Sequence, residues 1–217
     1  PLKSLALQQS AWVGTQMVAS VAAGRFYYDA LGVQGEAALF MPGSDDLLRV
    51  RGAVYDRTPG GLFGGAKSLA GSYRHMWGPR MSLEAGAQSY GDGTVGPSVE
   101  WTQWFGDVSV QIYYRRGDAY QFAGLQLSFP LTPRQGMQPG VVSVAGPMQQ
   151  AQGLRTMITT ADQPANLVLP GAVRNLQLDT RQDVDLLNAG RMSQRYVQSQ
   201  VLRMRQAFYL FAREQLP

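Results

Sequence analysis

The sequence predicts an all-β chain: an antiparallel β-barrel of about eight strands over residues 1–130, then a mixed segment, 131–217, that ends in an amphipathic helix. Three observations lead there. From about residue 9 to 130 the dominant period is two, turn residues recur at intervals of roughly ten to fifteen, and helical spacing is absent until the last thirty or so residues.

The strands fall at about 9–22, 25–41, 47–57, 66–77, 80–90, 96–105, 107–116 and 120–129. In the second, Leu31, Val33, Gly35, Ala37, Leu39 and Met41 alternate with Gln34 and Glu36. In the fifth, Met81, Leu83, Ala85 and Ala87 alternate with Ser82, Glu84, Gly86 and Gln88. Residues 107–115 place Val108, Val110, Ile112 and Tyr114 on one face and Ser109, Gln111, Tyr113 and Arg115 on the other. A two-residue turn at Gly106-Asp107 makes Phe105 and Val108 a facing pair, so Trp104 and Glu100 share the polar face with Gln111, Tyr113 and Arg115. The last strand sets Ala123, Leu125, Leu127 and Phe129 against Gly124, Gln126 and Ser128.

Both solvents accept this alternation. A soluble barrel packs its apolar face inward, whereas a membrane barrel turns that face to lipid and fills its interior with polar groups. Strand length favours lipid, because a tilted spanning strand needs about nine to eleven residues and soluble strands average about five or six. So do the aromatics near strand ends, Tyr27, Tyr28, Phe40, Tyr55, Trp77, Tyr90, Trp104, Phe105 and Phe129, which resemble an interfacial belt.

Composition bounds the remainder. The chain of 217 residues has a net charge of +4, 45% apolar residues, 25 Gly, 12 Pro and no Cys. Apolar content is too high for a disordered chain, and no run approaches the roughly 20 apolar residues of a spanning helix. Without Cys there is no disulfide scaffold, thiolate metal site or Cys nucleophile. The arginines and lysines are scattered apart from a cluster near the C-terminus, which gives nucleic-acid binding little support. Pro1 opens inside what reads as ongoing structure, as in a piece of a longer chain.

After Pro130, residues 132–140 read as a linker, and 141–144, 154–160 and 166–169 as short strand candidates. A helix follows over about 190–213 with Ser193 as N-cap. Val197, Val201, Met204, Phe208 and Phe211 repeat at helical spacing, and Arg195, Arg203, Arg205 and Arg213 decorate the surface. Such a stripe either docks on its own domain, the commoner arrangement, or seats a partner protein or caps the barrel end.

The search for chemistry yields little. His75 is the single histidine, so a multi-His metal site is excluded and no metal or cofactor is predicted; a structural or interface role fits it best. Asp45 and Asp46 read as solvated turn residues. The glycine-rich Ser89-Tyr90-Gly91-Asp92-Gly93-Thr94 lacks the Lys-Ser/Thr and helix of a phosphate-binding loop and reads as a hairpin turn. Glu84 and Glu100 lie on polar faces of different strands, and their separation decides whether a glycosidase pairing exists. Trp104 and Tyr113, with Glu100, Gln111 and Arg115, offer ring faces to sugar C–H groups and polar groups to hydroxyls; the plainer reading is a satisfied polar interior.

The run Gln88-Ser89-Tyr90-Gly91-Asp92-Gly93-Thr94-Val95-Gly96, the hairpin Trp104-Phe105-Gly106-Asp107 and the strand Phe122-Ala123-Gly124-Leu125-Gln126-Leu127-Ser128-Phe129-Pro130-Leu131 resemble the YjbH-like outer-membrane proteins of exopolysaccharide and group 4 capsule systems. Tyr27-Tyr28-Asp29, Gly35-Glu36, Met41-Pro42-Gly43, Asn188-Ala189-Gly190-Arg191-Met192-Ser193, Tyr196 and Arg203-Met204-Arg205-Gln206-Ala207 extend the likeness over most of the chain. The resemblance implies the C-terminal portion of a longer outer-membrane β-barrel in a Gram-negative bacterium, with residues 131–217 in the periplasm. It also implies polysaccharide, outer-membrane lipid and other subunits of a synthesis or export complex as partners. These strands then either close alone or complete a larger barrel. The expected function is non-enzymatic passage or guidance of an exopolysaccharide; the alternative is a periplasmic or surface carbohydrate-active β-protein using Glu84, Glu100 or Asp92.

Overall fold

A computed structural model describes residues 5–26, 30–56, 67–89, 95–117, 121–130, 149–158 and 194–209. It is all-β but for two short helices. The strands are β1 (Leu5–Val13), β2 (Met17–Phe26), β3 (Ala30–Phe40), β4 (Leu47–Tyr55), β5 (Lys67–Met76), β6 (Met81–Ser89), β7 (Val95–Phe105), β8 (Val108–Arg116), β9 (Gln121–Pro130) and β10 (Gln149–Ile158). They form one antiparallel sheet in chain order.

Four connections are tight turns at the same end of the sheet, at residues 14–16, 41–46, 77–80 and 106–107. Each contains one glycine in the left-handed region: Gly14, Gly43, Gly78 and Gly106, at φ 68, 74, 71 and 69°. Reversing a strand pair with its native twist requires this conformation, which other side chains disfavour. The first of these turns corrects the strand expected at 9–22, which is a hairpin with Val13 opposite Met17. Alternation keeps the same phase on both sides of Gly14, so the period alone runs straight through it.

Two further expectations change. The sheet does not stop at 130, because β10 pairs with β9 from Gln149 opposite Pro130 to Ile158 opposite Gln121. This strand comes from the stretch assigned to a separate extension. The linker at 132–140 and the candidates at 141–144 and 166–169 lie outside the described residues. Nor is the barrel closed: β1 and β10 are the two edges of the sheet, and no pairing joins them among the described residues.

The open sheet nevertheless curls. Direct partners followed from Ser10 pass through Ser20, Glu36, Arg51 and Ala70 to Gln88, from near the middle of β1 to the next-to-last residue of β6. A progressive stagger of this kind accompanies strand tilt in barrels. Arg49 on β4 also approaches Glu84 on β6 to 3.8 Å across the intervening β5. Two strand spacings amount to about 9.5 Å in a flat sheet, so the side chains lean together over a concave face.

That face is polar. Ser20, Gln34, Glu36, Arg49, Ser72, Arg74, Ser82, Glu84, Gln88, Thr102, Arg115 and Ser128 are buried, whereas Leu31, Val33, Val50, Val54, Leu69, Val99, Ile112 and Leu125 on the convex face are exposed. Small apolar clusters bracket the polar band: Val18, Ala38 and Leu47 with Phe40 towards the tight turns, and Phe26, Ala53 and Tyr55 with Ala22 towards the other end. Gly32 and Gly124 allow close cover by tyrosines, since a Cβ at either would collide with the ring of Tyr55 or Tyr113. The expected aromatic belt divides accordingly. By register Trp77, Phe105 and Phe129 belong to the convex side, Phe40, Tyr55 and Trp104 to the concave side, and Tyr27, Tyr28 and Tyr90 lie outside the described residues.

The helix expected over 190–213 is described as α1 (Gln194–Ser199) and α2 (Val201–Ala207), separated at Gln200. No residue of α2 is buried. Val197, Val201, Met204 and Phe208 are all about half exposed, so the stripe does not dock on the sheet among the described residues. Phe211 and the predicted cap Ser193 lie outside them. No described helix is long and apolar enough to cross a membrane.

Candidate functional site

The concave face concentrates charge in a band across β3 to β8. Alternation within each strand turns Glu36, Arg49, Arg51, Ser72, Arg74, Glu84, Glu100, Gln111, Tyr113 and Arg115 to that side. Pairing then fixes who meets whom. Arg74, Glu84, Glu100, Tyr113 and Gly124 are successive direct partners from β5 to β9, and Glu36 faces Arg51 across β3 and β4.

Glu84 is the hub. Both Nε and Nη2 of Arg74 reach its Oε2, at 2.8 and 2.7 Å, and Ser72 Oγ donates to Oε1 at 2.5 Å. Arg49 and Arg51 stand 3.8 and 3.9 Å from the same Oε1. Arg49 also lies 3.3 Å from Glu36. Buried ions of opposite sign in this density attract one another across four strands.

A second cluster adjoins it. Gln111 Nε2 donates to Glu100 Oε1 at 2.5 Å, Arg115 Nη2 lies 3.4 Å from Glu100 Oε2, and the Arg115 guanidinium sits 4.3 Å from the centre of the Tyr113 ring. Four of the five predicted glycan-facing residues, Glu100, Gln111, Tyr113 and Arg115, are thereby brought together. The fifth, Trp104, is buried nearer the turns, opposite Ser109, with its N–H bonded to the Arg80 carbonyl. The facing pair Phe105 and Val108 stands as the register predicts.

Glu36, which the sequence places on a polar face, and Arg49, Arg51, Ser72 and Arg74 are not among the predicted site residues. Their signal was the same polar alternation, Arg49-Val50-Arg51 and Ser72-Tyr73-Arg74, that was used for other strands. Glu84 and Glu100 turn out to be direct neighbours, close enough for the carboxyl pair of a glycosidase to be considered. Glu84, however, already accepts from Ser72 and Arg74 and faces two more guanidinium groups, which leaves it poorly placed to give up or take a proton. Asp92 lies outside the described residues. Among the described residues no group of three His, Asp or Glu side chains forms a metal site.

The tight-turn end holds a separate polar lock. Asp46 is buried, not solvated as expected. Its carboxylate accepts from Tyr73 Oη at 2.5 Å and the Met76 N–H at 3.1 Å, and His75 Nδ1 lies 3.0 Å away. Burial alone pushes the Asp46 carboxyl up, but these hydrogen bonds together outweigh it and hold the group below its ordinary value. His75 accordingly has a structural partner, and its ring packs edge-on against Trp77 at 5.5 Å.

Compared with protein-family models, curated proteins and solved structures, the chain matches none.

Proposed function

We propose that this chain is part of an outer-membrane β-barrel, and more particularly a non-enzymatic component that passes or guides an exopolysaccharide across that membrane. The observation that carries the membrane reading is the inverted alternation of the sheet, with charged side chains buried on the concave face and aliphatic ones exposed on the convex face. Water-soluble sheets bury their apolar face, so the convex surface calls for an apolar solvent. Strands of nine to eleven residues match the length of a tilted span. The edges at β1 and β10, which pair with no further strand among the described residues, suit a sector of a larger barrel, because an exposed edge is a template for another strand.

The polysaccharide assignment rests on the resemblance to YjbH-like proteins together with the Glu100, Gln111, Tyr113 and Arg115 cluster. A ring stacked with a guanidinium beside a carboxylate and an amide offers weak contacts to a sugar polymer, as conduction without retention demands. The test is outer-membrane fractionation, gel migration before and after boiling, and measurement of surface polysaccharide in a deletion strain. Recovery in the outer membrane, a heat-dependent shift and loss of polysaccharide are expected. Recovery as a soluble protein without detergent would overturn the membrane reading, and unchanged polysaccharide would overturn the export reading.

A further inference from the structure

The helices α1 and α2 leave an apolar stripe uncovered, and their surroundings point to what covers it. Val197, Val201, Met204 and Phe208 are half exposed, and Leu202 and Tyr209 beside them are more so. Ser199, Arg203 and Gln206 recur at helical spacing on the opposite side. Charge is of one sign only: residues 194–213 contain four arginines and no carboxylate.

Position supplies the second argument. Arg203 approaches Asp107, in the β7–β8 turn, to 3.6 Å. Phe105, two residues before Asp107, is exposed on the convex face, and Trp77 is exposed at the same end of the sheet. Exposed aromatics at strand ends mark the level of a membrane–water interface. The ion pair thus sets the helices beside that level, with an apolar stripe and no acidic side chain of their own, the combination by which a helix lies in the plane of an anionic bilayer surface. A protein groove would match the stripe but would not account for uniform positive charge beside the exposed Phe105 and Trp77.

We propose that residues 194–209 lie on an anionic phospholipid surface at the tight-turn end of the sheet, the stripe in the acyl boundary and Arg205 among the phosphates. This rests on the membrane reading given above. Because the chain has no Cys, one introduced thiol labels cleanly. In the full chain, Met204→Cys carrying an environment-sensitive fluorophore reports on the stripe, and Val50→Cys reports on the convex face of β4. Both sites are exposed, so neither change disturbs packing.

In phosphatidylcholine vesicles containing phosphatidylglycerol, quenchers attached to lipid should dim both probes. Without phosphatidylglycerol only the Val50→Cys probe should respond fully, and Arg205→Gln should weaken the anionic-lipid dependence at Met204→Cys about fivefold. Quenching of the strand probe alone overturns the helix proposal and leaves the membrane reading standing. A helix probe shielded from water yet untouched by lipid quenchers also overturns it, in favour of a protein partner. Equal quenching with and without phosphatidylglycerol overturns the anionic surface. Failure of both probes removes the membrane reading and the helix proposal together.

Discussion

Glu84 and Glu100 are direct partners across β6 and β7, yet they live in different surroundings. Glu84 meets three guanidinium groups and a serine hydroxyl and its side chain is 9% exposed; Glu100 meets one arginine and one glutamine and is 23% exposed. The half of the band around Glu84, on β3 to β6, has its charges committed to one another. The half around Glu100, on β7 and β8, keeps a stacked aromatic and a less crowded carboxylate facing the concave space. Neighbouring positions of one sheet face thus divide into a strut and a less crowded surface.

The largest expected effect breaks the strut. Glu84→Gln removes the carboxylate that Arg49, Arg51 and Arg74 share and should cost about 3–5 kcal/mol, the usual consequence of unpairing buried charge. Urea unfolding in detergent, followed by tryptophan fluorescence, measures it. Adding Arg74→Met should recover part of the loss if charge imbalance is the cause. No recovery would mean that Glu84 serves chiefly by packing.

Next in size is Asp46. Asp46→Asn removes an ionised acceptor for Tyr73 and the Met76 N–H, a loss of about 1.5–3 kcal/mol for hydrogen bonds to a charged group. Its folded carboxyl titrates below the ordinary value of 3.8. The stabilisation is therefore fully present above that value and disappears as pH falls through it towards the lower folded pKa. Melting temperatures of the parent and of Asp46→Asn should converge in acid and stay apart at pH 6. A constant difference across that range would show that the carboxylate's charge is not what anchors the turn.

These two sites also show how far a sequence can be read. The β7–β8 hairpin was legible because Gly106-Asp107 fixes the turn length, and with it the facing pair and the shared face of Glu100, Gln111, Tyr113 and Arg115. The adjacency of Glu84 and Glu100 was not, since it depends on the β6–β7 register, which a turn of uncertain length leaves open. Gly14 is hidden by an alternation that continues in phase across it, and the strand candidate at 154–160 covers only the second half of β10, because Gln149–Ile158 has no clean period of two. Asp46 looked solvated in a Gly-Ser turn. Its partners lie on β5, twenty-seven or more residues away, and local pattern is blind to such distances.

Smaller changes sharpen the other half of the comparison. Glu100→Gln keeps a group able to accept from Gln111 and should cost about 1 kcal/mol, well below Glu84→Gln. Equal losses at the two sites would end the distinction between strut and surface. Arg115→Lys is the finest probe. Lysine keeps the positive charge near Glu100 but loses the planar group that lies 4.3 Å from the Tyr113 ring centre. Arg115 is buried, where a stacked cation contributes about 2 kcal/mol; lysine retains the cation, so unfolding should shift by only about 1 kcal/mol. If the stack is a contact surface for sugar, retention on an immobilised acidic or neutral polysaccharide should fall with Arg115→Lys and not with Arg51→Lys in the Glu84 cluster. An equal fall for both would assign the effect to the charge of the whole band and remove the special standing of β8.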